Sequence, residues 1–432
     1  MVAVNSGPNK KKPRGFSERG RYDGSSPIFV GRDAEVREFI DWVAEEPPTD
    51  GMRAAVLVGS AGRGKTRLLQ KFEEICVHRP GPTWHVVYRT LNENKGVAEF
   101  FDDLLRDMHA LLVARPLRAG PHDDRLRDEL LKAIPKAGSL LTALIGNQKL
   151  TGGERFVEYL RVVSSHIVPK NERFVVLVDP KNTVASAQAA EWMTIASLVP
   201  ANVRIVIAQR PDDVVAGHSE RRLRFRSMPS EGALEDLSEV KIQDWYDAEF
   251  AAGRLQLTPS GRVWDSQTRQ QLGEVAFQRY GGYPLAHEAV IRLVASATSE
   301  QPLQDIQSWP RAVAALMDML FGRLADLGEE QLRAGLALRV FGIATPMEIW
   351  AEGAGVPTER LMSWLTDPRF MHFFARDERG QYAPFHALFA ERLVNALRYT
   401  PQRTKEIAEI VWSTIEPALD KTRLATSLAP VF

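Results

Sequence analysis

The pattern of apolar residues along this chain changes near residue 215. Before that point, short continuous apolar runs alternate with segments in which apolar residues recur every three or four positions. Strands that alternate with helices in this way predict a parallel sheet with helices on both faces. The predicted strands are Ala54–Val58, Trp84–Thr90, Arg173–Asp179 and Val203–Ala208.

Helical periodicity fills the segments between these strands. One amphipathic helix is predicted from Asp33 through Trp42, and a second from Arg67 to Ile75. A third, from Gly153 to Ile167, leads into the strand that ends at Asp179. Because parallel sheets bind ligands beyond the carboxyl ends of their strands, we expect functional residues at those ends.

Beyond residue 215 the strand pattern stops, and residues 233–298 are predicted to be mainly helical. Further along, a helix-turn-helix pattern spans Pro346 to Leu365. Two short strands, Phe370–Arg376 and Gln381–Phe385, then flank a charged hairpin turn. Helices followed by a two-stranded wing are typical of a winged helix.

Composition narrows the function classes. Lys plus Arg equals Asp plus Glu at 55 each, so no global field attracts nucleic acid or anionic lipid. The single cysteine, Cys76, excludes an internal disulfide framework and a cysteine-rich zinc site. No apolar run is long enough for a membrane span, and we expect a cytoplasmic protein. The basic stretch Lys10–Arg14 is either a solvated tail or a contact for nucleic acid or a partner.

An octapeptide after the first predicted strand matches the phosphate-binding pattern G-x-x-x-x-G-K-[ST] without a mismatch. Its glycines allow backbone N–H groups to surround phosphate oxygens, and the following helix adds its positive dipole end. The lysine can reach the β- and γ-phosphates, while the threonine hydroxyl can bind Mg²⁺. The octapeptide and the residue after it are Gly59, Ser60, Ala61, Gly62, Arg63, Gly64, Lys65, Thr66 and Arg67. The chain is therefore predicted to bind ATP or ADP with Mg²⁺.

Two further polar residues lie at predicted strand ends. Asp179 closes a fully apolar strand and can bind Mg²⁺ through water. Arg210 follows the next strand and could contact phosphate. Structural alternatives are an Asp179 that caps the next element and a solvated Arg210. With Lys65, these residues form the predicted catalytic set.

Several motifs, in their order along the chain, resemble the STAND class of signalling ATPases, which are relatives of the NB-ARC and NACHT switches. Residues 29–35 look like the box that precedes the phosphate-binding loop, and residues 281–286 are similar to a G-x-P motif of the helical lid. Residues 382–386 resemble the end of the wing. The resemblance implies nucleotide contacts from Val30, Arg32, Pro284 and His386, and a sensor role for Arg210.

The resemblance also implies a domain organisation for the chain. It implies an α/β P-loop NTPase domain, with a parallel sheet and helices on both faces, followed by a helical lid domain and a winged-helix domain. The predicted divisions are a disordered basic tail at 1–26, a P-loop nucleotide-binding domain at 27–215, a helical lid domain at 216–310, a winged-helix domain at 311–400 and a C-terminal helical tail at 401–432.

One departure from the class bears on catalysis. A second acid usually follows the strand-end aspartate, but this chain has Pro180, which carries no carboxylate to orient water. Because phosphoryl transfer depends on placement and charge stabilisation, this loss should lower the rate more than the affinity. We therefore expect a weak ATPase, with Glu191 as a candidate substitute acid.

Three hypotheses follow. The first is an ATP/ADP-controlled switch of STAND type, serving signalling or prokaryotic antiviral defence, that works with a protein partner as effector or sensor and forms nucleotide-dependent homo-oligomers. The second is an AAA+-like ATPase whose winged helix binds DNA in replication, transposition or transcription, although Glu359 and Asp367 beside Arg360 make a poor footprint for nucleic acid. The third is a catalytically inactive nucleotide-binding scaffold.

Overall fold

The computed structural model describes the core elements of the chain. The described residues are 28–45, 52–78, 84–91, 150, 152–166, 172–180, 195, 198–211, 226–230, 232–253, 255, 265–296, 301–341, 345–376, 380–385, 389, 392–393, 396, 405, 409 and 413. The predicted tail at 1–26, His386, Glu191 and most of the predicted C-terminal tail lie outside them.

A parallel sheet forms the first part of the fold. Its strands are β1 (Ala54–Val58), β2 (Trp84–Leu91), β3 (Arg173–Pro180), β4 (Val203–Gln209) and β5 (Arg226–Met228). They lie in the order β2-β3-β4-β1-β5, and every pair is parallel. The predicted α/β sheet is confirmed. Its central strands are buried along their length, except for the partly buried Pro180 at the end of β3, as expected for strands covered on both faces.

Helices α1 (Asp33–Ala44) and α2 (Lys65–His78) cover one face of this sheet, and α3 (Gly152–His166) precedes β3. Phe39 of α1 stacks on Phe72 of α2, with ring centroids 3.9 Å apart. Both rings belong to one buried cluster with Leu57, Leu177 and Val206 of the sheet. This packing fixes α2, and therefore the loop that precedes it, against the carboxyl end of β1.

Two buried arginines join α1 to the amino ends of the strands. The Arg204 guanidinium, which is fully buried, donates to the carbonyls of Trp42 and Glu45 at the end of α1. Arg173 donates to the carbonyl of Val43. Cations at a helix C-terminus satisfy carbonyls that have no partner within the helix. Charged residues inside apolar strands thus anchor a helix at the sheet edge opposite the phosphate-binding loop.

The sheet includes a strand beyond residue 215, where the alternation of apolar runs and helical segments predicted none. The fifth strand lies beyond residue 215 and pairs Arg226, Ser227 and Met228 with Ala55, Val56 and Leu57 of β1. Three residues are too few to show a period, so the apolar pattern could not mark this strand's end. The predicted division at 215 therefore falls before the last strand of the sheet.

The second part of the fold is helical. Its elements are α4 (Glu239–Ala251), α5 (Ser266–Tyr280), α6 (Pro284–Ala295), α7 (Pro302–Ser308), α8 (Val313–Gly322) with a 3-10 turn at Arg323–Asp326, α9 (Glu329–Phe341), α10 (Met347–Ala354), α11 (Thr358–Leu365), α12 (Pro368–Met371) and an antiparallel pair, β6 (Phe374–Arg376) and β7 (Tyr382–Pro384). One continuous apolar core joins them, from Ile242 of α4 to Leu393.

The strand predicted at Phe370–Arg376 was wrong over its first half. Asp367 accepts a hydrogen bond from the Arg369 backbone N–H, and Pro368 occupies the first helical position. An aspartate cap followed by proline starts a helical turn. Phe370 therefore lies in α12, and the strand begins only at Phe374.

Candidate functional site

The carboxyl ends of β1, β3 and β4 meet at one edge of the sheet. Val58 is level with Gln209 in the register, and Val178 is level with Ile207. Because β4 lies between β1 and β3, the loop after β1 and Asp179 of β3 are two strand spacings apart, or about 9.5 Å. A phosphate chain with a bound metal ion is long enough to span this gap.

The phosphate loop, residues 59–66, has the backbone that phosphate binding needs. Gly62 and Gly64 have φ values of 75° and 87°, which favour glycine and let successive N–H groups face one point. A Cβ added at Gly64 would meet nothing within 4 Å, so the loop has open space beside it. The first turn of α2 contains no acid that would neutralise the helix dipole.

Side chains of the loop are arranged around that space. The Lys65 ammonium, in the first turn of α2, donates to the Gly59 carbonyl at 2.5 Å and the Ser60 carbonyl at 3.0 Å. Ser60, Ala61 and Thr66 are exposed. A triphosphate would replace the carbonyls as acceptors for Lys65, and its Mg²⁺ would have access to the Thr66 hydroxyl. The residues present therefore fit a nucleotide.

The strand-end residues differ in exposure. Asp179 is buried, and the Tyr88 hydroxyl of β2 donates to its Oδ2 at 3.1 Å. Arg210 is exposed just beyond β4. Its neighbour Gln209 is 1% exposed, and neither amide atom has a hydrogen-bond partner in the described part of the chain. The sheet order thus brings Asp179, Gln209 and Arg210 to the edge that carries the phosphate loop.

A short N-terminal segment, residues 28–32, connects both parts of the fold. Phe29 packs on the sheet core, whereas Ile28 and Val30 pack on the helical core. The buried Arg32 guanidinium donates to the carbonyl of Arg63 in the phosphate loop at 3.2 Å and to that of Glu235 at 2.7 Å. Arg32 therefore braces the loop through its side chain, and the nucleotide contact that the resemblance implies for it stays a prediction.

The lid, helices α4–α6, rests directly on the phosphate loop. The Tyr283 hydroxyl donates to the Ala61 carbonyl at 2.6 Å. A Cβ added at Gly62 would lie 2.2 Å from that hydroxyl and 3.1 Å from the Leu285 Cβ. Pro284 stands between these two contact residues, at the first position of α6. The absence of a side chain at Gly62 therefore allows the close approach of the lid to the phosphate loop.

The linker, residues 232–238, closes the remaining side. The Leu234 N–H donates to the Val58 carbonyl at 2.8 Å, which keeps the linker beside the end of β1. Asp236 forms an ion pair with Arg63 of the phosphate loop at 3.2 Å. The Leu237 N–H donates to the Gly282 carbonyl at 2.8 Å, so the linker touches the lid immediately before Tyr283.

Sequence reasoning missed several residues of this arrangement. Tyr283 was part of the G-x-P motif, but only its neighbour Pro284 was given a role. Asp236 and Tyr88 lie outside any motif. Tyr88 could have been found by aligning predicted strand ends, since β2 and β3 carry their last residues to the same edge. The role predicted for His386 falls outside the described residues.

A buried histidine supports the lid from behind. His287 of α6 is fully buried, with Nε2 2.6 Å from the Gly281 carbonyl and Nδ1 3.3 Å from the Tyr246 hydroxyl. A carbonyl can only accept, so Nε2 carries the proton and Nδ1 accepts from the tyrosine. Burial lowers the pKa of His287 from 6.5 to about 4, which keeps the ring neutral at pH 7.

We expect this histidine to make the lid sensitive to acid. Below pH 6.5 the unfolded chain binds a proton at this position, whereas the folded protein does so only near pH 4. The free energy of unfolding should therefore fall by roughly 3 kcal/mol as the pH drops through this window. Denaturant titrations of the protein and of His287→Gln at pH 7 and pH 4 test this. The stability gap between the two proteins should shrink at pH 4, and a constant gap would contradict the expectation.

Comparisons with known proteins reveal structural likeness at low identity. No protein-family model matches the chain, and no curated protein matches it. Among solved structures, a STAND protein with a tetratricopeptide repeat sensor from Pyrococcus horikoshii is 15% identical with a TM-score of 0.45. The match covers 95% of this chain but only 54% of that one, so the chain spans about half its length. A STAND protein is thus among the similar structures, as the motifs led us to expect.

Two replication proteins are also similar. The Orc1 protein of Aeropyrum pernix, solved in complex with DNA, is 13% identical with a TM-score of 0.39, over 89% of this chain and 97% of that one. Cdc6p from Pyrobaculum aerophilum is 12% identical with a TM-score of 0.38, over 86% and 97%. Because every identity is below 25% and every TM-score is below 0.5, these likenesses carry no assignment of activity.

Two other kinds of site find no support where the structure describes the chain. No helix there is long and apolar enough to cross a bilayer. No group of three or more His, Cys, Asp or Glu residues there could hold a metal ion on its own.

Proposed function

We propose that this chain is a nucleotide-controlled conformational switch of STAND type, which binds ATP or ADP with Mg²⁺ and hydrolyses ATP slowly. The proposal rests on one observation above all: the lid contacts the loop that would grip the phosphates. Tyr283 bonds to Ala61, and Asp236 pairs with Arg63. Exchange of ADP for ATP in the loop would therefore alter these contacts and shift the position of the lid.

Roles follow from positions. The backbone of residues 59–64, with Lys65 and Thr66, binds the phosphates and the metal ion, and Arg67 extends the positive start of α2. Asp179 holds the Mg²⁺ through water, and Arg210 contacts phosphate. A phosphate contact from His386, which lies outside the described residues, rests on the motif resemblance alone. Val30, Arg32 and Pro284 form the wall toward the base. Pro180 offers no carboxylate at the end of β3, which supports slow turnover.

The helical region carries the signal onward. Arg292 of α6 donates to the carbonyls of His372 and Phe374, and its guanidinium lies 4.1 Å from the centroid of the Phe385 ring. These contacts connect the lid to α10–α12 and the β6–β7 hairpin, which we take as a winged helix. Lid and winged helix share one apolar core, so they move together when the lid leaves the loop.

DNA reading by the winged helix is the weaker candidate. Arg360 of α11 pairs with Glu330 of α9 and stacks over Trp364. Glu330 therefore offsets part of the Arg360 charge, and Glu359 lies beside it in the first turn. A recognition helix needs an electropositive face toward the phosphates. A protein partner that senses the trigger or acts as effector suits this surface better.

Size measurements with different nucleotides test the switch. We expect a compact monomer with ADP, and an expanded or oligomeric form with ATP or a non-hydrolysable ATP analogue. A ligand shifts such an equilibrium only through unequal affinity for the two forms. Identical compact monomers in all three nucleotides would contradict the switch but leave nucleotide binding intact. Calorimetry that detects neither ATP nor ADP binding by folded protein would overturn the whole proposal.

A further inference from the structure

Among the residues without an assigned role, Tyr88 makes the most specific contact at the sheet edge. It lies on β2, two residues before Thr90, which is level with Asp179 in the register. Its ring packs against the buried cluster of the sheet, and in the register it is level with Leu177 of β3. Its hydroxyl reaches diagonally across the strand pair and donates to Asp179 Oδ2 at 3.1 Å. Packing holds the Tyr88 ring in place, so its hydroxyl bonds to one oxygen of Asp179, Oδ2.

We propose that Tyr88 is a positioning residue, which orients the Asp179 carboxylate toward the Mg²⁺ of a bound nucleotide. This inference rests on the proposed function. An aspartate carboxylate rotates easily about its last torsion, because that torsion has broad energy minima. A hydrogen bond from Tyr88 to Oδ2 restricts this rotation and holds the carboxylate in one orientation. Partners that orient metal ligands in this way influence affinity for the metal.

The need for such a residue comes from the strand itself. Pro180 follows Asp179 and has neither a carboxylate nor an N–H that could share the task. Asp179 is 6% exposed, so bulk water solvates it poorly, and the Tyr88 hydroxyl supplies a hydrogen-bond donor from within the protein. Tyr88 thus supplies from the neighbouring strand a hydrogen bond to Asp179 that Pro180 cannot donate.

Mg²⁺ titrations of nucleotide binding test this role with Tyr88→Phe, which keeps the ring and removes the hydroxyl. The probe is a fluorescent ATP analogue, and the readout is the Mg²⁺ concentration that gives half-maximal tight binding. We expect this concentration to rise about tenfold, in line with losses of similar supporting partners. Affinity for the same probe in EDTA should not change, because Tyr88 does not contact the nucleotide itself.

Tyr159→Phe is the matched control. Tyr159 of α3 is 4% exposed, and its hydroxyl has no hydrogen-bond partner among the described residues. Removing that hydroxyl should leave the Mg²⁺ dependence unchanged. A second test is a double-mutant cycle with Asp179→Asn, in which Tyr88→Phe should add no further shift if it acts through Asp179.

The outcomes separate this inference from the proposed function. If Tyr88→Phe lowers the melting temperature but binds Mg²⁺-nucleotide as the parent does, Tyr88 is only a structural contact and the inference is wrong. A parent protein that binds nucleotide equally well in EDTA also overturns it, while nucleotide binding survives. A parent protein that binds no nucleotide overturns both.

Discussion

Lys65→Ala should weaken the binding of ATP and ADP by about 100-fold, on the order of 3 kcal/mol, without unfolding the protein. The ammonium stands in the first turn of α2 and reaches two loop carbonyls, within the space that the phosphates would occupy. Hydrogen bonds from a lysine to charged phosphate oxygens are stronger than those to carbonyls. The exchange of carbonyl partners for phosphate oxygens at Lys65 therefore favours nucleotide binding. Calorimetry with ADP gives the affinity directly.

Lys71→Ala is the control for this substitution. Lys71 lies on the same helix, more than one turn further along, where it pairs with Glu74 at 2.6 Å. Ion pairs between residues three apart on one helix contribute little, so nucleotide affinity and stability should stay close to the parent values. An equal loss of nucleotide affinity in Lys65→Ala and Lys71→Ala would indicate a general effect of positive charge on α2. An unchanged affinity in Lys65→Ala would show that the loop does not grip phosphate.

The sequence predicted the sheet and its functional edge because both depend on long, regular signals. Strands β1, β3 and β4 each contain a run of apolar residues, which burial on two faces requires. The glycine pattern of residues 59–66 is equally direct, because a turn around phosphate needs positive φ values and a helix start. Local chemistry dictates these features, so a single sequence reveals them.

Contacts between distant segments could not be predicted in the same way. Arg32, Arg63 and Glu235 meet only because the linker returns past the end of β1. Nothing in the sequence near Asp236 marks it as the partner of Arg63. Such pairs depend on the path of a connection, which is too short to show a hydrophobic period. They become visible only when the fold fixes that path.

The buried arginines illustrate a different limit. Arg173 and Arg204 begin strands that otherwise contain apolar residues, and charged residues are rarely buried without partners. Their partners are carbonyls of Trp42, Val43 and Glu45 at the end of α1. Any helix terminus offers such carbonyls, so the sequence does not identify which one an arginine will satisfy.

Gly282→Ala should detach the lid from the linker and destabilise the closed form by roughly 3 kcal/mol or more. An added Cβ would lie 1.7 Å from the Leu237 carbonyl oxygen and 2.7 Å from its carbon. Both are backbone atoms, so no side-chain rotation relieves the overlap. The clash falls at the residue before Tyr283, and the Tyr283–Ala61 bond should be lost with it. ADP affinity and the melting temperature with ADP should both fall.

Gly322→Ala separates this effect from a general cost of replacing glycine. Gly322 ends α8, and a Cβ added there would meet nothing within 4 Å, so the variant should be as stable as the parent. If Gly282→Ala is too unstable to purify, Tyr283→Phe removes only the hydroxyl that bonds to Ala61. One hydrogen bond of this kind contributes about 1 kcal/mol, so the compact ADP form should open severalfold more often. A Gly282→Ala protein that stays compact and binds ADP as the parent does would mean that the lid can close without the linker contact, and that nucleotide control must act elsewhere.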